Sequence, residues 1–171
     1  MKTFIIKKEH FDESNYYIGI EDLSNFDGNI ESEENLGCVK FKNYLAAKGN
    51  IFFRTGSGIE AGGIKAGWGI EAGDGISAGW GIEAGLGISC KLELSCKYRI
   101  FAGLWVWGNL SSDDEKTITC GKLVSGTVEY GILKEIGLPT KDNDKKTALL
   151  LKADELIKKA NELKSEAEKL H

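Results

Sequence analysis

Residues that could carry metal or redox chemistry are few in this chain of 171 residues. It has four cysteines, Cys38, Cys90, Cys96 and Cys120. No two of them form a C-x-x-C pair, so their spacing does not favour a zinc site or a redox pair. Cys90 and Cys96 are six residues apart, in positions where alanine stands elsewhere in a repeat, and free cysteine behaves as a small buried hydrophobe. We therefore predict that these two thiols point into a core.

Residues for acid–base or nucleophilic catalysis are equally sparse. The only histidines, His10 and His171, lie outside the repetitive part of the chain, and histidine is the commonest general base. No Ser/His/Asp set, Walker lysine loop or metal-ligand cluster is visible. Glycine-rich matches to nucleotide-binding loops belong to the repeat and have no βαβ unit around them. We predict a protein that is not an enzyme and that has no cofactor and no metal.

An acidic window runs from Glu9 to Glu34 and contains nine acidic residues but no Lys or Arg. One interpretation is a solvated polar cap on the first coil of a repeat structure. The other is a patch that competes for a basic groove on a partner. The net charge of −4 argues against a general nucleic-acid binder. The second interpretation assigns partner contacts to Glu21, Asp22, Asp27, Glu31, Glu33 and Glu34.

The candidate residues above must be positioned by a six-residue repeat, Ile-x-Ala-Gly-x-Gly. This repeat is most regular over residues 59–88. Six residues do not fit a 3.6-residue helix but fit a short strand followed by a corner. A less regular rhythm extends the pattern to about 39–132, interrupted by a polar insertion at Ser111–Lys116 that we expect to be a loop. The repeat predicts a parallel β-solenoid over 39–137. The isoleucines that mark the unit are Ile59, Ile64, Ile70, Ile76, Ile82 and Ile88.

Alternation along a strand places the Ile and Ala of each unit inside the solenoid. We expect the two glycines to turn the corner with positive φ. A coil of eighteen residues has three faces and brings Lys65 near Glu83 and Trp68 near Leu86. A coil of twelve has two faces and aligns Trp68 with Trp80. We favour three faces, the commoner architecture of six-residue repeats.

Four tryptophans, Trp68, Trp80, Trp105 and Trp107, are the aromatic candidates for a contact surface. Exposed aromatic side chains often dominate binding energy at protein interfaces. The alternative is that they fill corners or cover the end of a coil.

Pro139 and the polar residues around it end the repeat, and a helix is predicted over 142–171. Leucine and alanine alternate there at spacings of four and three, a heptad seam typical of a coiled coil. The helix could pack along the solenoid or pair with a second copy to give a homo-oligomer, a dimer or a trimer. The seam consists of Leu149, Ala153, Leu156, Ala160, Leu163, Ala167 and Leu170.

Together these patterns predict a mainly β chain in three parts. An acidic N-terminal cap with strands occupies 1–38, a three-faced parallel β-solenoid 39–137, and a long C-terminal α-helix for oligomerisation 142–171. The N-terminus lacks the apolar core of a signal peptide, and no run of about 18 apolar residues could span a membrane. We expect a cytoplasmic location and no membrane partner.

The six-residue units resemble those of the hexapeptide-repeat, left-handed β-helix family, many of whose members are acyltransferases with a histidine base. The repeated GWGIEAG units also resemble repeat proteins of Gram-positive bacteria and their phages. Small acidic phage proteins of this kind include inhibitors of bacterial defence such as anti-CRISPR proteins.

The resemblance implies a non-catalytic, protein-binding solenoid that inhibits a nucleic-acid-acting defence protein. The partner would be a basic, nucleic-acid-binding host protein such as a CRISPR effector, and we do not expect direct binding to nucleic acid. A second hypothesis is an assembly module that self-associates through its C-terminal helix. A third, an acyltransferase, lacks the required histidine within the repeat.

Overall fold

The computed structural model describes residues 1–105 and 112–139. Residues 1–138 form one compact unit, and the residues beyond Pro139 lie outside the described residues. The described residues form thirteen strands and two short 3-10 helices, Lys8–His10 and Asp113–Lys116. The strands are β1 (Lys2–Ile6), β2 (Gly28–Ser32), β3 (Gly37–Ala47), β4 (Ile51–Phe53), β5 (Ser57–Ala66), β6 (Ile70–Ala72), β7 (Ile76–Ala78), β8 (Ile82–Ala84), β9 (Ile88–Cys90), β10 (Glu93–Ala102), β11 (Thr117–Cys120), β12 (Lys122–Tyr130) and β13 (Ile132–Glu135).

All pairings between these strands are parallel, and they stack the chain into a β-solenoid with three faces. Face 1 is the sheet β1-β2-β4-β6-β9-β11-β13. The strands β3, β5, β10 and β12 each turn a corner, so each contributes one half to face 2 and the other half to face 3. Strand β7 lies on face 2 and β8 on face 3. The predicted parallel β-solenoid is therefore confirmed.

The register shows how many residues one coil contains. Ile64 pairs with Ile82, and Ile82 pairs with Ile100, eighteen residues further along each time. Leu86 donates its backbone N–H to the carbonyl oxygen of Trp68 at 3.1 Å, so these two residues are stacked. Both observations match the coil of eighteen residues and exclude the coil of twelve.

The core is a set of columns made by the first and third residues of each short strand. In β6, β7, β8 and β9 these two residues are buried and the middle one is more exposed. Cys90 and Cys96 occupy the alanine position and are each 2 % exposed, so the prediction that they point inward is confirmed. Stacked isoleucines each contribute about 1.5–3 kcal/mol by burial.

The glycines of the repeat have a different role from the one we expected. None of those between Gly62 and Gly87 has a positive φ, so the prediction of left-handed corners is wrong. Instead, a Cβ at Gly67 would overlap the carbonyl oxygen of Lys48 in the preceding coil, and a Cβ at Gly85 would overlap that of Gly67. Glycine is required here because adjacent coils approach each other closely at the corner.

The N-terminal end of the solenoid is closed by an irregular coil. Isolated parallel bridges join Tyr16 to Lys40 and Phe26 to Ala47, so residues 16–26 continue faces 2 and 3. Inside this coil the rings of Tyr17 and Phe41 lie 5.5 Å apart, and further aromatic contacts extend to Phe4 and Phe53. The end of the core is therefore sealed by aromatic side chains.

The predicted fold class is wrong in one component, the long C-terminal α-helix. The part of the chain that the structure describes contains 3-10 helices but no α-helix, and the predicted helix at 142–171 lies outside the described residues. The fold class is thus a mainly β parallel solenoid. No helix in the described ranges is long and apolar enough to cross a membrane.

The two glycines that flank Trp68 provide a test of the close approach. We expect Gly67→Ala to lower the free energy of unfolding by about 1–3 kcal/mol, because the added methyl group forces two coils apart. Gly69→Ala is the matched control, since its Cβ would meet Asn50 Oδ1 and Gly87 O at 3.4 and 3.5 Å, ordinary contact distances. Its stability should stay within about 1 kcal/mol of the wild type. Denaturant unfolding measures both, and equal midpoints would contradict this account.

Candidate protein-binding surfaces

The cysteines have environments suited to packing. Burial raises the pKa of the Cys90 thiol to about 12 and also raises the pKa of Cys96 and Cys120. Because the thiolate is the reactive form of cysteine, these three side chains are poor nucleophiles and poor metal ligands. Cys38 is exposed.

His10 belongs to the aromatic closure of the N-terminal end. Its Nδ1 accepts a hydrogen bond from the Lys7 backbone N–H at 3.1 Å, and its ring stacks on Phe4 at 5.5 Å. His171 lies outside the described residues. Among the residues that the structure describes, no group of three or more His, Cys, Asp or Glu side chains could hold a metal ion.

Three of the six predicted acidic contact residues form ion pairs. The carboxylate of Glu21 lies 3.5 Å from Lys2 Nζ, that of Asp27 lies 3.2 Å from Lys48 Nζ, and that of Glu31 lies 3.3 Å from an Arg54 nitrogen. The side chains in these pairs are largely exposed, so the pairs contribute little to stability. They do reduce the negative charge that this part of the surface presents.

The six acidic residues do not form one patch. Glu21 and Asp22 precede Leu23, whose carbonyl oxygen accepts the N–H of Ala46 on face 3. The carboxylate of Asp22 accepts the N–H of Ser24, which lowers the pKa of Asp22. Strand β2 runs along face 1 and separates Asp27 from Glu33 by six residues, about 20 Å of extended chain. Asp27 precedes β2, Glu31 lies within it, and Glu33 and Glu34 follow it.

Face 1 carries a shallow groove of about 490 Å³ that the sequence does not single out. Outward side chains stack there in register, with Phe52 between Glu31 of the preceding coil and Glu71 of the following coil. The Arg54 guanidinium lies 5.8 Å from the Phe52 ring centre. The floor along one side is polar, since Asn50 Oδ1 accepts the N–H of Gly69 at 2.9 Å.

Glu71 is the functional candidate that sequence reasoning missed. It occupies the second position of a six-residue unit, which the register turns outward beside Phe52 and Ser89. Within the described ranges, Glu71, Glu33 and Glu34 have no cation within 4.0 Å of their carboxylates. The repeat pattern showed that Glu71 points outward. It did not show which residues lie beside it, because its neighbours are nineteen residues before it and eighteen after it along the chain.

The predicted aromatic residues lie on the two edges of face 3. The rings of Trp68 and Trp105 are 6.2 Å apart on one edge, and the rings of Tyr44 and Trp80 are 5.0 Å apart on the other. Trp68 and Trp80 are 37 % and 48 % exposed. Trp107 lies outside the described residues. Both indoles are partly exposed at corners of the coils, and their role in partner contact stays a prediction.

Beside the edge that carries Trp105 lies a second shallow depression of about 410 Å³, lined by Leu104 and Trp105 and by an ion pair. The pair joins Lys65 Nζ to Glu83 Oε2 at 2.8 Å. The contact between Lys65 and Glu83 expected for eighteen residues per coil is therefore confirmed.

No family model, no curated protein and no solved structure matches this chain. Functional inference thus depends on the surfaces described above. The predicted oligomerisation residues lie outside the described residues; they are Leu149, Ala153, Leu156, Ala160, Leu163, Ala167 and Leu170.

The burial of the thiols makes a labelling prediction. At pH 8 the folded protein should react with a thiol reagent once, at Cys38, because Cys38 is exposed whereas Cys90, Cys96 and Cys120 are buried out of reach of the reagent. Denatured protein, the control, should react four times. Intact mass after labelling counts the adducts, and rapid native labelling at Cys90 would contradict the packing described here.

Proposed function

We propose that this chain is a non-catalytic protein-binding solenoid that holds a basic partner protein on face 1. The observation that carries the proposal is the groove in which Phe52 stands in register between Glu31, which is paired with Arg54, and Glu71, which has no ion pair in the described part of the chain. Aromatic side chains are enriched at the centre of protein interfaces, and charged groups belong to the surrounding rim.

The charges near this groove support a basic partner. Glu71 has no ion pair in the described part of the chain, and Glu33 and Glu34 add two more unpaired carboxylates beyond the end of β2. Carboxylates on one surface speed the approach of a positively charged protein and repel nucleic acid phosphates. The expectation of a protein partner and of no direct nucleic-acid binding is consistent with this surface.

The narrower proposal is that binding inhibits the partner. A protein that handles nucleic acid has a basic groove, and an acidic surface seated in that groove would exclude the substrate. The resemblance to repeat proteins of bacteria and phages supports an inhibitor of bacterial defence, with a CRISPR effector as one candidate partner. A cytoplasmic location follows from this proposal.

The experiment begins with capture of partners by the full chain from a bacterial lysate that contains defence systems, identified by mass spectrometry. Affinity for a captured protein is then measured by calorimetry at two salt concentrations. We expect Glu71→Lys and Phe52→Ala each to weaken binding about tenfold, equivalent to about 1.4 kcal/mol. Added salt should weaken wild-type binding, because the attraction is between exposed charges.

Glu13→Lys is the matched control for charge. It makes the same change in net charge, but it lies in the turn Asp12–Asn15, where the Asn15 carbonyl accepts the N–H of Lys40 on face 2. Its affinity should stay within about threefold of the wild type, or about 0.7 kcal/mol. Equal weakening by Glu13→Lys and Glu71→Lys would show that only net charge matters and would refute a site on face 1. Unchanged affinity of Glu71→Lys would refute it as well.

A further inference from the structure

Face 3 carries a column of outward side chains, one from each of four adjacent coils, and the order of residue types in this column indicates how a second copy could bind. Ala46, Lys65, Glu83 and Phe101 follow one another on adjacent coils, each in direct register with the next. A small residue, a cation, an anion and a large aromatic residue therefore stand about 4.8 Å apart along the solenoid axis. If a second copy of the column runs in the opposite direction in front of the first, Ala46 stands opposite Phe101 and Lys65 stands opposite Glu83, so each residue faces one that complements it.

The edges of the same face expose large apolar side chains. Trp80 and Tyr98, which are stacked on successive coils, are 48 % and 55 % exposed, and Tyr44 beside them is 45 % exposed. On the other edge Trp68 and Leu104 are 37 % and 41 % exposed. Aromatic clusters on both sides of one flat face indicate a surface that another protein covers.

We propose that face 3 binds face 3 of a second copy of this chain, with the two solenoids antiparallel. The two-fold axis lies between the faces, parallel to the strands, at the height midway between Lys65 and Glu83. A two-fold interface uses the same surface on both copies, so every contact occurs twice. Lys65 of each copy then faces Glu83 of the other.

The remaining positions in this arrangement are also complementary. Ala46 faces Phe101, so a small side chain meets a large one. Tyr44 faces Arg99, a pairing of an aromatic ring with a cation. Gly63 faces Gly81, and because the Tyr44 ring covers Gly63 within its own chain, the contact at this height is made by that ring.

The parallel alternative is disfavoured by charge. A two-fold axis along the solenoid would keep each coil at its own height and place Lys65 against Lys65 and Glu83 against Glu83. Like charges opposite each other across an interface are repulsive. The alternation of Lys65 and Glu83 thus selects the antiparallel dimer.

The size of the surface determines the strength that we expect. Four coils at about 4.8 Å and a width of about 20 Å give roughly 400 Å² per copy, about half of a standard interface. The dimer should therefore be weak and should depend on concentration. Face 1 is a different side of the solenoid, so it stays open in the dimer and the two proposals can fail separately.

The test is the solution mass of the full chain by sedimentation at concentrations on the order of 100 µM, suited to a weak interface. The wild type should populate a dimer that dissociates on dilution. Lys65→Glu and Glu83→Lys should each be monomeric, because two pairs of like charges would then face each other. An equimolar mixture of these two variants should form a dimer again, because both contacts between the copies become attractive in the heterodimer.

The mixture separates dimerisation from folding. Each single variant keeps a like-charge pair within its own chain, and mixing cannot repair that pair, so recovery of the dimer can only come from contacts between copies. Lys40→Glu is the matched control, because Lys40 lies beside Glu60 on face 2 as Lys65 lies beside Glu83 on face 3. It should dimerise like the wild type. A monomeric wild type, unaffected single variants or a monomeric mixture would each overturn the proposal.

Discussion

The stacking of one coil on the next is the interaction on which the rest of this structure depends. Parallel strands such as β6, β9 and β11 form backbone hydrogen bonds along face 1, while Ile70, Ile88 and Ile118 stack directly behind them in the core. Hydrogen bonds and apolar burial therefore act in the same direction, along the solenoid axis. Each coil buries its side chains only because its neighbours are present.

This stacking restricts the corners more than the faces. A side chain at a corner must fit within the spacing between two coils. At Gly67 and Gly85 a Cβ atom would overlap the carbonyl oxygen of another coil. The corner residues between the glycines, such as Trp68 and Trp80, project outward and contact other aromatic rings. We had expected glycine at the corners because it can adopt a positive φ, but these glycines are required by the lack of space for a side chain.

The same geometry arranges the outer surface in columns. A residue in one coil stands next to residues about eighteen positions away, which is how Glu71 comes to lie beside Phe52, and Lys65 beside Glu83. Two faces acquire distinct characters as a result. Face 1 offers carboxylates around an aromatic ring, and face 3 offers a column of paired charges between aromatic edges.

Much of the fold could be predicted from the repeat, because its apolar positions alternate with a fixed period and a strand is the only element that fits that period. The buried state of Cys90 and Cys96 followed from the same reasoning. The candidate site could be predicted only in part. The acidic residues were grouped by closeness in sequence, but strand β2 spaces Asp27, Glu31 and Glu33 along face 1, and Lys2, Lys48 and Arg54 neutralise three of the six.

The sequence by itself determined a period of six, an isoleucine column and a parallel β-solenoid, and it favoured a coil of eighteen residues over one of twelve without deciding between them. Only the tertiary structure decided which outward residues meet, because those contacts join different coils. It placed Glu71 beside Phe52, brought Trp68 to Trp105 and Tyr44 to Trp80, and showed that glycine serves close packing at the corners. The repeat in the sequence defines each strand, whereas each surface is formed by residues that are distant in sequence and adjacent in space.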